Sequence, residues 1–313
     1  MTSIKKGMET ASYDAVAAPR RRPNYSLDRL RYFILGTAVL HLGGFITVLA
    51  FGKDQKVPLS RSYVMWPHGA GGSANATNTF TFGSVHTSHV SMATLVGAFF
   101  LLSFAFQFVP AAMPLLWRNL STRLTTQAIQ PFRFVEYSFS ASCLFLVALL
   151  IDGVMDLYHV VLAFAAMWTV MMFGLLQELT AWYLRRLEQL GGPRRNMLEF
   201  FMPHAIGWVL YIVLWAEAID RFSLDMDNIK PNKPPQWVVS FYYFLFAAFT
   251  SFGANQAVEM VRLFRTAADD AKALANIAIV HEYVYTLLSL LAKSVSGYFL
   301  LNGMLASSSA AHY

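Results

Sequence analysis

Apolar residues run along this chain in long blocks, not in the narrow amphipathic stripes or strict alternation of a water-soluble fold. A helix that crosses a bilayer needs about 20 mostly apolar residues. Blocks that meet this requirement cover roughly 31–51, 89–110, 131–151, 158–180, 198–219, 236–260 and 276–304, so the pattern predicts seven spans. The segment 52–88 between the first two is long for a bundle connection, and loops of that length are usually functional or disordered. Within it, GAGGSANATNTFTFGS alternates Thr, Phe and Gly, which predicts a small β-hairpin. Asn75-Ala-Thr77 in the same loop is a glycosylation sequon, a pattern too short to carry weight alone.

Composition agrees with a bilayer as solvent. Of 313 residues, 56% are hydrophobic and 13% charged, whereas soluble domains carry about 25% charged residues. The net charge of +6 sits between the spans and calls for no nucleic acid. One cysteine, Cys143, excludes an internal disulfide. Residues 1–29 are polar and basic, include APRRRP, and lack the apolar core of a cleavable signal. They read as a disordered tail, followed by an all-α membrane domain over 30–306 and a short tail over 307–313.

Basic residues set the orientation, because Lys and Arg near span ends accumulate on the cytoplasmic side. Lys5, Lys6, Arg20, Arg21, Arg22, Arg29 and Arg31 precede the first span, and Arg118, Arg123, Arg185, Arg186, Arg194, Arg195, Arg262, Arg265 and Lys272 fall in the even-numbered loops. On the other side lie Lys53, Lys56 and Arg61 and a mixed fifth loop, while the loop IDGVMDLY and the C-terminus have no basic residue. The expectation is an N-terminus inside, a C-terminus outside and the hairpin outside, the reverse of ordinary microbial rhodopsins and seven-helix receptors.

Only Lys293, of eight lysines, falls within a predicted span. Glu282, Tyr285 or Thr286, Ser289, Lys293 and Ser296 share one helical face, as do Glu136, Ser140 and Cys143 in the third span. A charge at that depth is costly, faces the bundle interior and marks function. Glu136 is the natural partner of Lys293. Matching their depths requires the third helix to begin near Thr122 or Thr125, with Pro131 a kink inside it. Two readings follow: a Lys–Glu lock between helices, or an amine made nucleophilic toward an aldehyde by apolar surroundings, with Glu136 as anion to the resulting iminium. Seven helices, a buried lysine in the last and a carboxylate in the third suggest a retinal protein. Trp208 and Trp168 are candidate chromophore walls, although membrane aromatics more often simply pack. No residues have metal-site spacing, and no phosphate-binding loop is present.

The residues also resemble a known family. FRFVEYSFSAS (Phe132–Ser142) and YTLLSLLAKS (Tyr285–Ser294) are similar to the helix-three and helix-seven signatures of heliorhodopsins. AVLHL (Ala38–Leu42), FGLLQE (Phe173–Glu178) and TSFGANQ (Thr250–Gln256) resemble parts of their helices one, four and six. The resemblance covers about 30–305 and implies the inverted topology, all-trans retinal on Lys293, Glu136 as counterion and Ser289 bonding near the linkage; Ser140, on the face of Glu136, is a further candidate by spacing. It implies His41 and Ser103 in a polar cavity on the cytoplasmic side, Phe249 against the polyene, and a homodimer, although no GxxxG-like stripe argues for one. Two departures stand out: Gln107 replaces a second cavity histidine, and Phe134 replaces the Trp after Arg133.

The function this implies is light sensing through an unidentified cytoplasmic partner, in a multi-pass membrane protein that is not an enzyme. Gln107 cannot take up a proton at physiological pH, and the inward path shows no ladder of titratable groups. The alternative is a light-gated passive proton channel or transporter, for which Glu217 would supply the outward group if it faces the bundle. A retinal-independent receptor or structural protein with a Lys–Glu lock is the third reading. For the topology, a C-terminal epitope should be labelled on intact cells; labelling only after permeabilisation would overturn the assigned orientation.

Overall fold

The structure, a computed structural model, describes residues 25–65, 81–228 and 234–306. Its elements are α1 (Tyr25–Phe51), β1 (Lys56–Met65), β2 (Thr81–Ser91), α2 (Met92–Ala112), α3 (Pro114–Gln127), α4 (Pro131–Ile151), α5 (Leu157–Gln189), α6 (Met197–Asn228), α7 (Gln236–Arg265) and α8 (Ala271–Ala306). All but α3 are long and apolar enough to cross a membrane, so the seven predicted spans are present. Several overrun their predicted ends. At about 1.5 Å per residue, the 36 residues of α8 reach well past the roughly 30 Å of hydrocarbon. Hydropathy marks where lipid ends, but the helix continues into polar surroundings. For the same reason Tyr25–Arg29, assigned by sequence to the tail, belong to α1, with Asp28 in its first turn where an acid favours a helix start. The remainder of that tail, the Asn75 sequon and the C-terminal tail lie outside the described residues.

The helices pack in a closed order: α1 on α2 and α8, α2 on α4, α4 on α5, α5 on α6, and α7 on α8. α4 is the axis. Some 78% of its apolar window is buried, against 22–44% in the other spans. Leu40, Leu162, Val209 and Ile212 point outward and stay exposed, a surface that suits lipid and would be a liability in water.

The third span departs from expectation. Pro131 is not a kink inside one continuous helix. α3 ends at Gln127, Ala128 adopts a left-handed conformation (φ 54°), and its N–H closes on the Leu124 carbonyl. Pro131 then occupies the first turn of α4, where its missing N–H has no intrahelical partner to lose. Ala128, Ile129 and Gln130 are buried, and α3 packs against α8. α4 therefore starts inside the protein, which brings Glu136 to the depth of Lys293 without a kinked helix.

The hairpin is present, with β1 ahead of the stretch that predicted it and β2 taking in that stretch's last four residues; residues 66–80 lie outside the described residues. β1 and β2 pair antiparallel from Lys56↔Ser91 to Met65↔Thr81, with a bulge at Leu59/Ser60. Asp156 ties it to the bundle. The Ser62 N–H and hydroxyl donate to its Oδ2 at 3.3 and 2.9 Å, and its Oδ1 caps α5 by accepting from the His159 N–H at 3.0 Å. The His159 N–H and then the Ser62 hydroxyl hold its carboxyl below the usual carboxylate range.

Pro203 interrupts α6, and a side chain repairs the gap. In an unbroken helix the His204 N–H would bond the Phe200 carbonyl. Here the fully buried Gln177 of α5 stands between them. Its Nε2 donates to the Phe200 carbonyl at 2.6 Å and its Oε1 accepts from the His204 N–H at 3.1 Å. Gln177→Leu should orphan both backbone groups, at about 1–3 kcal/mol each, and lower the thermal unfolding temperature in detergent. Adding Pro203→Ala should recover part of the loss by letting α6 close its own bonds. An unchanged melting temperature in Gln177→Leu would rule the wedge out.

Candidate functional site

Lys293 of α8 and Glu136 of α4 meet at the centre of the bundle, 5% and 2% exposed. The Lys293 Nζ donates to Glu136 Oε1 at 2.5 Å and to Ser289 Oγ at 2.9 Å. Helical geometry explains the donor set: Ser289 and Lys293, like Glu136 and Ser140, are four residues apart and lie one turn above each other. Ser140 donates to the same Oε1 at 2.7 Å. The Ser103 hydroxyl, from α2, lies 2.7 Å from it and 2.8 Å from the Phe99 carbonyl. A carboxylate with donors from three helices has little freedom to turn. The Tyr137 ring lies 5.2 Å from Nζ and adds a cation–π contact.

One turn nearer the start of α4 lies a second ionic cluster. Arg133 pairs with Glu178 of α5 and Glu282 of α8, all three buried. Its guanidinium lies over the Tyr285 ring at 3.7 Å, and the Gln130 N–H donates to Glu178 Oε2 at 2.8 Å. Sequence spacing placed Glu282 on the face of Lys293, which fits this arrangement, but overlooked Glu259. Glu259 is 2% exposed, and its Oε2 has no hydrogen-bond partner among the described residues. The signal was available: Phe249, Phe252, Gln256 and Glu259 follow helical spacing along one face of α7.

One apolar space adjoins the lysine, and a second shares walls with it. The first, about 380 Å³, is walled by Ser140, Leu144, Ser289, Ala292 and Lys293 together with Tyr137, Met171, Phe249 and Phe252. These last four also line the second space, about 580 Å³, between α5, α6 and α7. Trp208 walls this second space, held by its indole N–H donating to His204 Nε2 at 2.8 Å. The Gln177 wedge thus fixes His204, and His204 fixes Trp208. Glycine makes room here: a Cβ on Gly174 would strike the Phe134 ring, and one on Gly253 would come within 2.8 Å of the Trp208 ring.

A polar space of about 470 Å³ on the α3 side is lined by Gln107, Arg133, Glu136, Glu282 and Thr286. Gln107 accepts from the Thr37 hydroxyl at 2.9 Å. Ser103 and His41 do not line this space. Ser103 turns to Glu136, and His41 is sealed beside Phe100 with neither ring nitrogen paired among the described residues. Trp168 is 36% exposed on the bundle exterior, and Trp215, fully internal, packs against Phe249 instead. Glu217 is a surface residue paired with His159 and Arg221.

The heliorhodopsin family model matches residues 30–305, nearly the whole described chain. The chain belongs to the heliorhodopsin family. It is a light-responsive protein of the rhodopsin type, and the family implies a retinal chromophore. Heliorhodopsins are photoreceptors and not a class of enzymes. A comparison with curated proteins finds no match. The residues fit retinal, an aldehyde on a long apolar polyene: Lys293 lines one apolar space that shares four walls with a second, and glycines lie where the rings crowd.

Proposed function

We propose that this heliorhodopsin is a light sensor that carries all-trans retinal on Lys293 and signals to a cytoplasmic partner. The observation that carries the reading is the buried Lys293–Glu136 pair, whose lysine lines an apolar space. Bound to Nζ through its aldehyde carbon with loss of water, retinal supplies visible absorption and light-driven isomerisation. The chain's own residues do the rest. Glu136 keeps a negative charge against the Lys293 nitrogen, and Ser103 and Ser140 fix the oxygen that bears it. Ser289 offers an oxygen on another side of the same nitrogen. Phe249 and Trp208 bound the space in which movement can occur, and His41, buried with neither ring nitrogen hydrogen-bonded among the described residues, is the imidazole assigned to a displaced proton.

Sensing is favoured over conduction for two reasons. Arg133, clamped between two carboxylates beside Glu136, is a fixed cation of the kind that bars proton passage. Glu217, the outward group a conducting path would use, is paired at the surface. The conducting reading keeps one support, the polar space that touches Glu136. The N-inside orientation and the homodimer belong to this proposal as well, from the loop charges and the family resemblance.

Lys293→Ala should express without forming pigment on addition of all-trans retinal; a coloured variant would reject the central claim and leave a structural ion pair. Glu136→Gln should turn from visible to near-ultraviolet absorption about 1–3 pH units below the parent, because the cation loses its anion. An unshifted titration would move the counterion elsewhere. In voltage-clamped cells, illumination should give no sustained current; a steady photocurrent abolished by Glu217→Gln would replace the sensor with a conductor.

A further inference from the structure

The ends of α5 and α7 and the two loops that follow them enclose an open cleft of about 1200 Å³, bordered by Glu188, Arg194, Arg195, Phe264, Arg265 and Asp269. We propose that this cleft binds a phosphate-bearing anion. Arg195 faces the cleft, yet its side chain is only 6% exposed. Its Nε lies 3.4 Å from Glu188 Oε2, its Nη2 donates to the Thr266 carbonyl, and its plane lies over the Phe264 ring. Nη1 is buried with no acceptor among the described residues. A charged donor left dry and unpaired is expensive, and a ligand oxygen would satisfy it.

The surroundings fit that ligand. Arg194 and Arg265 border the cleft with exposed side chains free to close on an anion. Of the two bordering carboxylates, Glu188 forms an ion pair with Arg195 at 3.4 Å, although its Oε2 has no hydrogen-bond partner among the described residues. A guanidinium fork matches the several oxygens of a phosphate better than a single-point anion. Position narrows the source. α5 runs 33 residues, about 50 Å at 1.5 Å per residue, whereas a bilayer with its headgroups measures about 40–45 Å. The cleft at its far end therefore sits at the outer edge of the headgroups, within reach of a projecting phosphorylated headgroup and of a soluble phosphate.

The test uses the full-length protein. In detergent, pyrophosphate is titrated calorimetrically. In nanodiscs, thermal stability is compared between phosphatidylcholine alone and phosphatidylcholine with phosphatidylinositol 4-phosphate. Pyrophosphate binding assigns a soluble ligand, and stabilisation by the phosphoinositide alone assigns a headgroup; either supports the site. Arg194→Gln and Arg265→Gln, which remove exposed side chains without touching the core, should each weaken binding about tenfold. Arg195→Lys should weaken it too, since it keeps the charge and loses the fork. No binding in either arm would overturn the proposal, as would binding that all three variants leave unchanged.

Discussion

A charge held away from water must find its compensation within a few ångströms, and that requirement organises this bundle around α4. Arg133 and Glu136 lie three residues apart on the most buried helix. Their partners come from two other helices, Glu178 from α5, and Lys293 and Glu282 from α8. Such pairs contribute little net stability, because desolvation offsets most of the Coulomb attraction. Their effect is positional: with one partner misplaced, an uncompensated charge would remain in low dielectric. The rotation and depth of α4, α5 and α8 are thereby fixed relative to one another.

Around that ionic line the polarity is sharply divided. The α3 side of Glu136 is polar, walled by Gln107, Thr286 and the Arg133 cluster, while the side facing α5, α6 and α7 is aromatic and aliphatic. Lys293 stands on the boundary. The apolar side keeps its shape through backbone devices as much as through side-chain packing. A proline opens α6, Gln177 fills the opening, and the adjoining His204 steers Trp208 into the wall.

Hydropathy located all seven spans because lipid imposes one long apolar block per crossing, and helical spacing found the Lys293–Glu136 pair because both carry their serines at a one-turn interval. What remained hidden had no periodic signature. The break after Gln127 depends on Ala128 adopting a left-handed conformation, which no composition rule assigns to alanine. Gln177 looked like one polar residue among several near a helix end; its partner is backbone on another helix, and backbone acceptors are the same at every position. Glu259 was legible by spacing but stood among the charged residues that begin the α7 exit. The pairing of Arg133 with Glu178 and Glu282 joins residues 45 and 149 positions apart, a proximity that only the packed bundle provides.

That long separation has a consequence during synthesis. Glu136 and Lys293 are 157 positions apart, and a ribosome adding about 5–20 residues per second needs on the order of 10–30 s to travel from one to the other. Throughout that interval α4 has left the ribosome with a carboxylate whose cation has not yet been translated, and with an arginine lacking one of its two acids. A nascent helix in that condition gains little by settling at the centre of the bilayer. It can remain near the aqueous edge or within the insertion machinery until α8 emerges, so that the last helix made completes the burial of the fourth.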